Sequence, residues 1–266
     1  MEDSTVEECR ALLDADSPIL DEKFKVWYGI NIDSRLAVLE NGIVELAFDI
    51  IRKNSLNHPL AIKEAWRMLS EIVIVFDVED DQEYIPIERL VGMGLIPMMA
   101  LEFDRRRREN KNEGLEMLHA LSWCASRECA IEPIMQADVV HKYAISVVKI
   151  GPPHEAYDTS MSLIRSLAAS SSAQIKSKLR ADGALDAILP FVDNLKHSNN
   201  DEKIKQGYRA ASIVARLAGN DEAGIGPKIL HGNPLVITKS VEILDRALDA
   251  GPKSSVINMR GKFNCF

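Results

Sequence analysis

One pattern recurs along this chain. A polar or small residue leads into a turn residue, and an apolar run that reads as a helix follows. It stands as Asn41-Gly42-Ile43-Val44, as Met93-Gly94-Leu95-Ile96 and as Ala137-Asp138-Val139-Val140. It returns as Asp182-Gly183-Ala184-Leu185 and as Gly232-Asn233-Pro234-Leu235. The turn positions 42, 94, 138, 183 and 233 are separated by steps of 52, 44, 45 and 50 residues. A recurring step of this size marks one supersecondary unit used repeatedly. Such a unit cannot bury its apolar face alone, so each copy must pack on its neighbours.

Two helical patterns follow each turn. In the second, apolar residues return every three or four positions: Leu115, Leu118, Leu121 and Cys124; Met161, Ile164, Leu167 and Ala168; Ala210, Ile213, Val214, Leu217 and Ala218. That is the helical period, and Gly, Pro, Asn or Asp separate the helices. Pro152 and Pro153 fit the tolerance of proline at a helix start. The apolar run 72–76 is the one candidate strand, but it continues the period of Ala65, Met68 and Leu69 and reads as the buried end of a helix. Aromatic residues are only 6% of the chain, against 46% hydrophobic overall, which favours helices over a β-sandwich. The expected fold class is all-α. Residues 1–34 are expected to form an N-terminal helical cap, 35–251 the repeats, and 252–266 a loose tail. The acidic stretch 79–83 and the polar stretch 196–203 read as loops, the latter also as a helix start.

Composition excludes several functions. The net charge is -8 and the pI near 5.4, whereas nucleic-acid binding needs a basic footprint. Cys9, Cys124, Cys129 and Cys265 are too scattered for a disulfide scaffold. The first residues lack a signal-peptide pattern, and the apolar stretch 90–101 is too short to span a membrane. Cytosol or nucleus is the expected location. No motif announces catalysis or a cofactor. Residues 219–228 lack the Gly-Lys-Ser/Thr end of a phosphate loop, Gly92 and Gly94 lack the third glycine of a dinucleotide fingerprint, and no nucleophile elbow occurs. Cys124 and Cys129, with His119 and His141, have poor spacing for zinc, and Cys124 reads as a buried thiol. The six histidines stand singly. Arg105, Arg106, Arg107 and Arg108 could form a nuclear-localisation or acidic-partner patch; the plainer reading is a solvated loop flanked by Asp104 and Glu109.

The run from Ile175 through Gly183 to Val192 resembles the first two helices of an armadillo repeat. The run from Gly207 to Asp221 resembles the third helix and its exit. The resemblance extends over roughly 35–250, and the steps above suit the roughly 40–47 residues of armadillo and HEAT units, with insertions in two of them. It implies an α-solenoid, a right-handed superhelix of about five helical repeats, with a concave groove lined by the third helix of each.

In that family the groove-facing positions lie four apart on the third helix. Carried onto this chain they are Arg67 and Glu71, His119 and Trp123, Ser162 and Ser166, and Ser212 and Arg216. Positions four apart do share a helix face. The family's Trp–Asn pair is absent from all of them, which argues against the type that clamps basic peptides. Trp123 is either an aromatic anchor or packing between repeats. Tyr208, Arg209 and Arg216, with Arg165, could form a basic patch suited to an acidic partner, or be solvated. Trp66 falls on the core side of its helix. The expectation is a non-catalytic interaction module that binds a protein or extended peptide through the groove, with no cofactor, small-molecule substrate, nucleic acid or membrane. The alternative is an assembly subunit docking through repeat edges or chain ends.

Overall fold

The apolar runs that follow the described turns fold as helices. In the computed structural model, which describes residues 3–24, 42–75, 87–109, 111–192, 194 and 200–218, every regular element among the described residues is a helix. The helices are α1 (Asp3–Asp14), α2 (Ile43–Lys53), α3 (Pro59–Val75), α4 (Ile87–Gly92), α5 (Leu95–Glu109) and α6 (Lys111–Cys124). They continue as α7 (Glu128–Gln136), α8 (Val139–Ile150), α9 (Tyr157–Ala168), α10 (Ala173–Ala181), α11 (Ala184–Val192) and α12 (Asp201–Ala218). A further helical segment covers 19–24. The expected copy at 232–235, the acidic loop 79–83, the tail and the expected boundaries at 34 and 251 lie outside the described residues.

The turn residues do what their positions ask. Gly42, Gly94 and Gly183 have φ of 72°, 91° and 90°, and each immediately precedes a helix. Glycine adopts this region without the Cβ clash that costs other residues roughly 1–2 kcal/mol. Asp138 takes the same place with φ 51° and has no such freedom. Helix starts carry polar caps. Asn200 Oδ1 accepts from the amides of Glu202 and Lys203 at 2.9 and 3.3 Å, so the polar stretch there ends as the start of α12. Asp21 accepts from the amides of Leu60 and Ala61 at 3.1 and 2.8 Å, at the start of α3.

Two compact units form, residues up to Ala130 and residues from Ile131. In the first, α2 packs on α3, α5 on α6, and α3 against α6, with α1 on α2 and α4 on α5. In the second, α8 packs on α9, α11 on α12, α9 against α12 and α8 against α11, with α10 touching α9, α11 and α12. The amphipathic period determines what is buried. α2 buries Ile43, Val44, Leu46, Ala47, Phe48, Ile50 and Ile51 and turns Arg52 and Lys53 outward. α3 runs through Val75 as a helix, with Val73 buried, and Trp66 is core at 4% exposure. Each fully buried side chain of this size contributes about 1.5–3 kcal/mol.

Polar ties span these packings, often closing on helix-end carbonyls that lack a partner within their own helix. Arg52 donates to the carbonyl of Met93 at 2.7 Å, Lys178 to that of Met135 at 2.8 Å, and Arg180 to that of Leu217 at 2.7 Å. His141, 0% exposed, lies 2.8 Å from the Asp182 carboxylate through Nε2. Asp138 accepts from Lys142 at 2.7 Å and from Lys178 at 2.6 Å. Those two hydrogen bonds outweigh the opposing effect of burial and hold its carboxyl down at about 2. They also hold the strained turn residue in place.

Two expectations need correction. Arg105, Arg106, Arg107 and Arg108 are not a loop; they are the last turns of α5. Carboxylates three and four positions away engage them: Glu102 and Glu109 pair with Arg105, Glu102 with Arg106, and Asp104 with Arg107 and Arg108. The acidic flanks were read as bordering a loop, but on a helix they become ion-pair partners. Pro152 and Pro153 lie in a turn ahead of α9 rather than in its first turn.

Candidate basic interface on α9 and α12

In the second unit, α9 packs against α12. α9 buries Tyr157, Ser160, Met161, Leu163, Ile164, Leu167 and Ala168, which leaves Ser162, Arg165 and Ser166 half-buried at its edge. α12 buries Gly207, Ala210, Ile213, Val214 and Leu217. Arg209, Ser212 and Arg216 follow one another at helical spacing on its other side, with Tyr208 beside them.

This packing brings Arg165 into the field of Arg216 and Arg209. Burial, and then those two guanidiniums, hold its pKa below the usual arginine value. Arginine keeps its proton even so. Among the described residues, neither Arg165 nor Arg216 has a carboxylate partner. Arg209 has one: Asp158, at 2.7 Å, with side chains 46% and 75% exposed respectively. Beside this pair, Tyr157 is 3% exposed and packs against Phe191 with ring centroids 5.4 Å apart and planes tilted by 54°. Its hydroxyl has no hydrogen-bond partner among the described residues. Burial and the Asp158 charge push the phenol up to about 12, against the opposing pull of Arg209.

The other expected positions behave differently. In the first unit, exposed Arg67 pairs with Glu64 at 3.0 Å and with Glu71 at 3.8 Å, so this pair neutralises itself. Trp123 is half-buried, and its Nε1 donates to Nε2 of exposed His119 at 3.0 Å, with the rings edge to face. Those two side chains satisfy each other. Ser162 and Ser212 are half-buried hydroxyls on α9 and α12. Of the eleven expected residues, Arg165, Arg209 and Arg216 are therefore the like charges carried by two packed helices, Arg209 alone of them ion-paired, with Tyr208 next to Arg209. Sequence reasoning missed Asp158 and Tyr157. Both lie at the first turn of α9, and nothing in the sequence links them to Arg209, 51 residues away.

Cys124 is 0% exposed and its thiol is pushed up to about 12 by burial, as a packed thiol should be. Among the described residues, no group of three or more His, Cys, Asp or Glu side chains is placed to hold a metal ion, and no helix is long and apolar enough to cross a membrane. Compared with known proteins, the sequence matches no family profile and no curated protein at a significant level.

Proposed function

We propose that this chain is an armadillo-like helical-repeat protein that binds another protein, without catalysis, through the exposed sides of its long third helices α3, α6, α9 and α12. The single observation that carries the repeat reading is the spacing of its polar ties. Lys178 reaches Asp138 across 40 residues, His141 reaches Asp182 across 41, Arg52 reaches Met93 across 41, and Arg89 reaches Glu45 across 44. These separations are close to one step of the turn pattern, as stacked copies would require. The basic group on α9 and α12 supports the binding reading, because charged clusters left uncompensated suit a partner better than the fold itself.

Site-specific photo-cross-linking tests it. A benzophenone side chain would be placed at Arg67, His119, Ser162 or Ser212, one on each third helix, and at Leu101 and Ile150 on second helices as controls. Native extract would then be irradiated. A discrete adduct shared by third-helix positions and absent from the controls is the expected result. No adduct from any third helix refutes the proposal. The second reading, an assembly subunit docking through other faces, is favoured by exposed Leu56, Leu101 and Ile150, at 97%, 75% and 64%. Adducts confined to Leu101 and Ile150 would replace the first reading with it.

A further inference from the structure

We propose that the α9–α12 face of the second unit is a docking site for an acidic segment of a partner protein, an extended run of Asp and Glu whose carboxylates seat on Arg165 and Arg216. The inference rests on the protein-binding reading above and names the chemistry of the partner.

Two observations carry it. First, the charge is concentrated and mostly uncompensated. α9, which carries Arg165, packs against α12, which carries Arg209 and Arg216, in a chain whose net charge is -8, and among the described residues Arg165 and Arg216 have no carboxylate partner. A guanidinium fork matches a carboxylate in two parallel hydrogen bonds. Second, the chain already displays the contact in miniature. Asp158, 75% exposed on its side chain, sits on Arg209 at 2.7 Å. A carboxylate therefore fits this face, and Asp158 occupies one of three available guanidiniums.

The same facts argue against a nucleic acid. A polyanion gains affinity by neutralising many phosphates along its length. Outside this patch the chain's charge balance is acidic and repels it. A short acidic peptide needs only the patch.

Fluorescence anisotropy of a labelled Glu-rich peptide, titrated with the full chain at low and near-physiological salt, tests the proposal. Gly-Ser and Lys-rich peptides and a single-stranded DNA oligonucleotide serve as comparators. The Glu-rich peptide should bind saturably and weaken with salt. R165Q/R216Q should weaken it roughly tenfold or more, as loss of charge-assisted contacts does. R165K/R216K should recover part of that loss, since it keeps charge but not the fork. D158N, which releases Arg209 for the ligand, should tighten binding. A purely structural role for these residues would not produce that gain. Helical melts check that each variant folds. The proposal is overturned if the folded wild type does not bind the Glu-rich peptide, or if R165Q/R216Q binds it equally. Tighter binding of the oligonucleotide, lost in R165Q/R216Q, also overturns it and assigns the patch to nucleic acid. If R165Q/R216Q does not fold, D158N decides alone, and unchanged or weaker binding refutes the proposal. A partner cross-linked through His119, with no acidic-peptide binding, would sink this inference and leave the protein-binding reading standing.

Discussion

His141 makes the second unit acid-labile in a defined window. The imidazole is 0% exposed, and its Nε2 lies 2.8 Å from Asp182 Oδ2. A carboxylate only accepts, so Nε2 carries the proton and donates. Nδ1 then holds a lone pair, and it has no partner among the described residues. Protonating Nδ1 would place a second N–H in the core with nothing to receive it. Burial accordingly lowers the pKa from 6.5, outweighing Asp182, while Lys178 lowers it further and the Asp138 carboxylate raises it. The unfolded state, with the ordinary value, therefore takes up a proton first as pH falls. Stability contributed by neutral His141 is complete above about pH 6.5 and is lost below it until the folded pKa is reached. The slope is at most about 1.4 kcal/mol per pH unit. Urea unfolding followed by circular dichroism at pH 7.5, 6.5 and 5.5 measures it. H141Q keeps a donor toward Asp182 but does not titrate. It should lose stability at pH 7.5 by roughly 1–3 kcal/mol if the amide donates less well, and its profile between 6.5 and 5.5 should be flatter than wild type. Identical slopes in the two proteins would refute the reasoning. Carboxylates held low, Asp138 and Glu102 among them, act at lower pH and leave this window clear.

Three further outcomes follow from burial and backbone geometry. Phe103→Ala, at 1% exposure in α5, should cost roughly 3–5 kcal/mol in the urea midpoint analysis, and a loss under 1 would mean the site is not tightly packed. Gly183→Ala should cost roughly 1–2 kcal/mol from the φ of 90° alone, since the nearest atom to the new Cβ is the mobile end of Lys149 at 3.3 Å; an unchanged thermal melt would contradict the left-handed turn. Iodoacetamide at pH 8 should modify Cys129, partly exposed, well before Cys124 and Cys9, which are buried, all three thiols being raised above their ordinary pKa by burial, as read by peptide mass spectrometry; equal labelling in the native state would show that the thiols are not shielded.

Local features were legible in the sequence because their causes are local. Gly42, Gly94 and Gly183 announce turns by needing positive φ, and the period of Met161, Ile164 and Leu167 announces the buried face of α9. Cys124 and Trp66 were placed in the core by the same period. The arginines at 105–108 were misplaced because a charge run has no apolar period to read, although its flanking acids three and four positions away carried a helical signal. Among the candidate site residues, spacing four apart gave the shared face but not the neighbours. That is why Arg67 and Glu71, chosen by the same rule as Ser212 and Arg216, turn out to be a neutralised pair.

Long-range partners were the part the sequence did not name. In the repeat reading proposed above, the turn step sets their scale, a residue in one copy meeting one about a step away. His141 with Asp182, Lys178 with Asp138 and Arg89 with Glu45 sit 41, 40 and 44 residues apart, against turn steps of 44 to 52. Arg209 with Asp158, at 51, runs longer, and the polar stretch before α12 lies between them. The step of 45 from Asp138 to Gly183, counted from His141, lands on Asp186, four residues past Asp182, so the step gives the neighbourhood of the partner rather than the partner itself. The same step isolates Arg216: positions 164 to 172, one turn step before it, carry no carboxylate and include Arg165, while Asp158 is held by Arg209. The charge that the fold leaves unanswered on this face is what an acidic partner would answer.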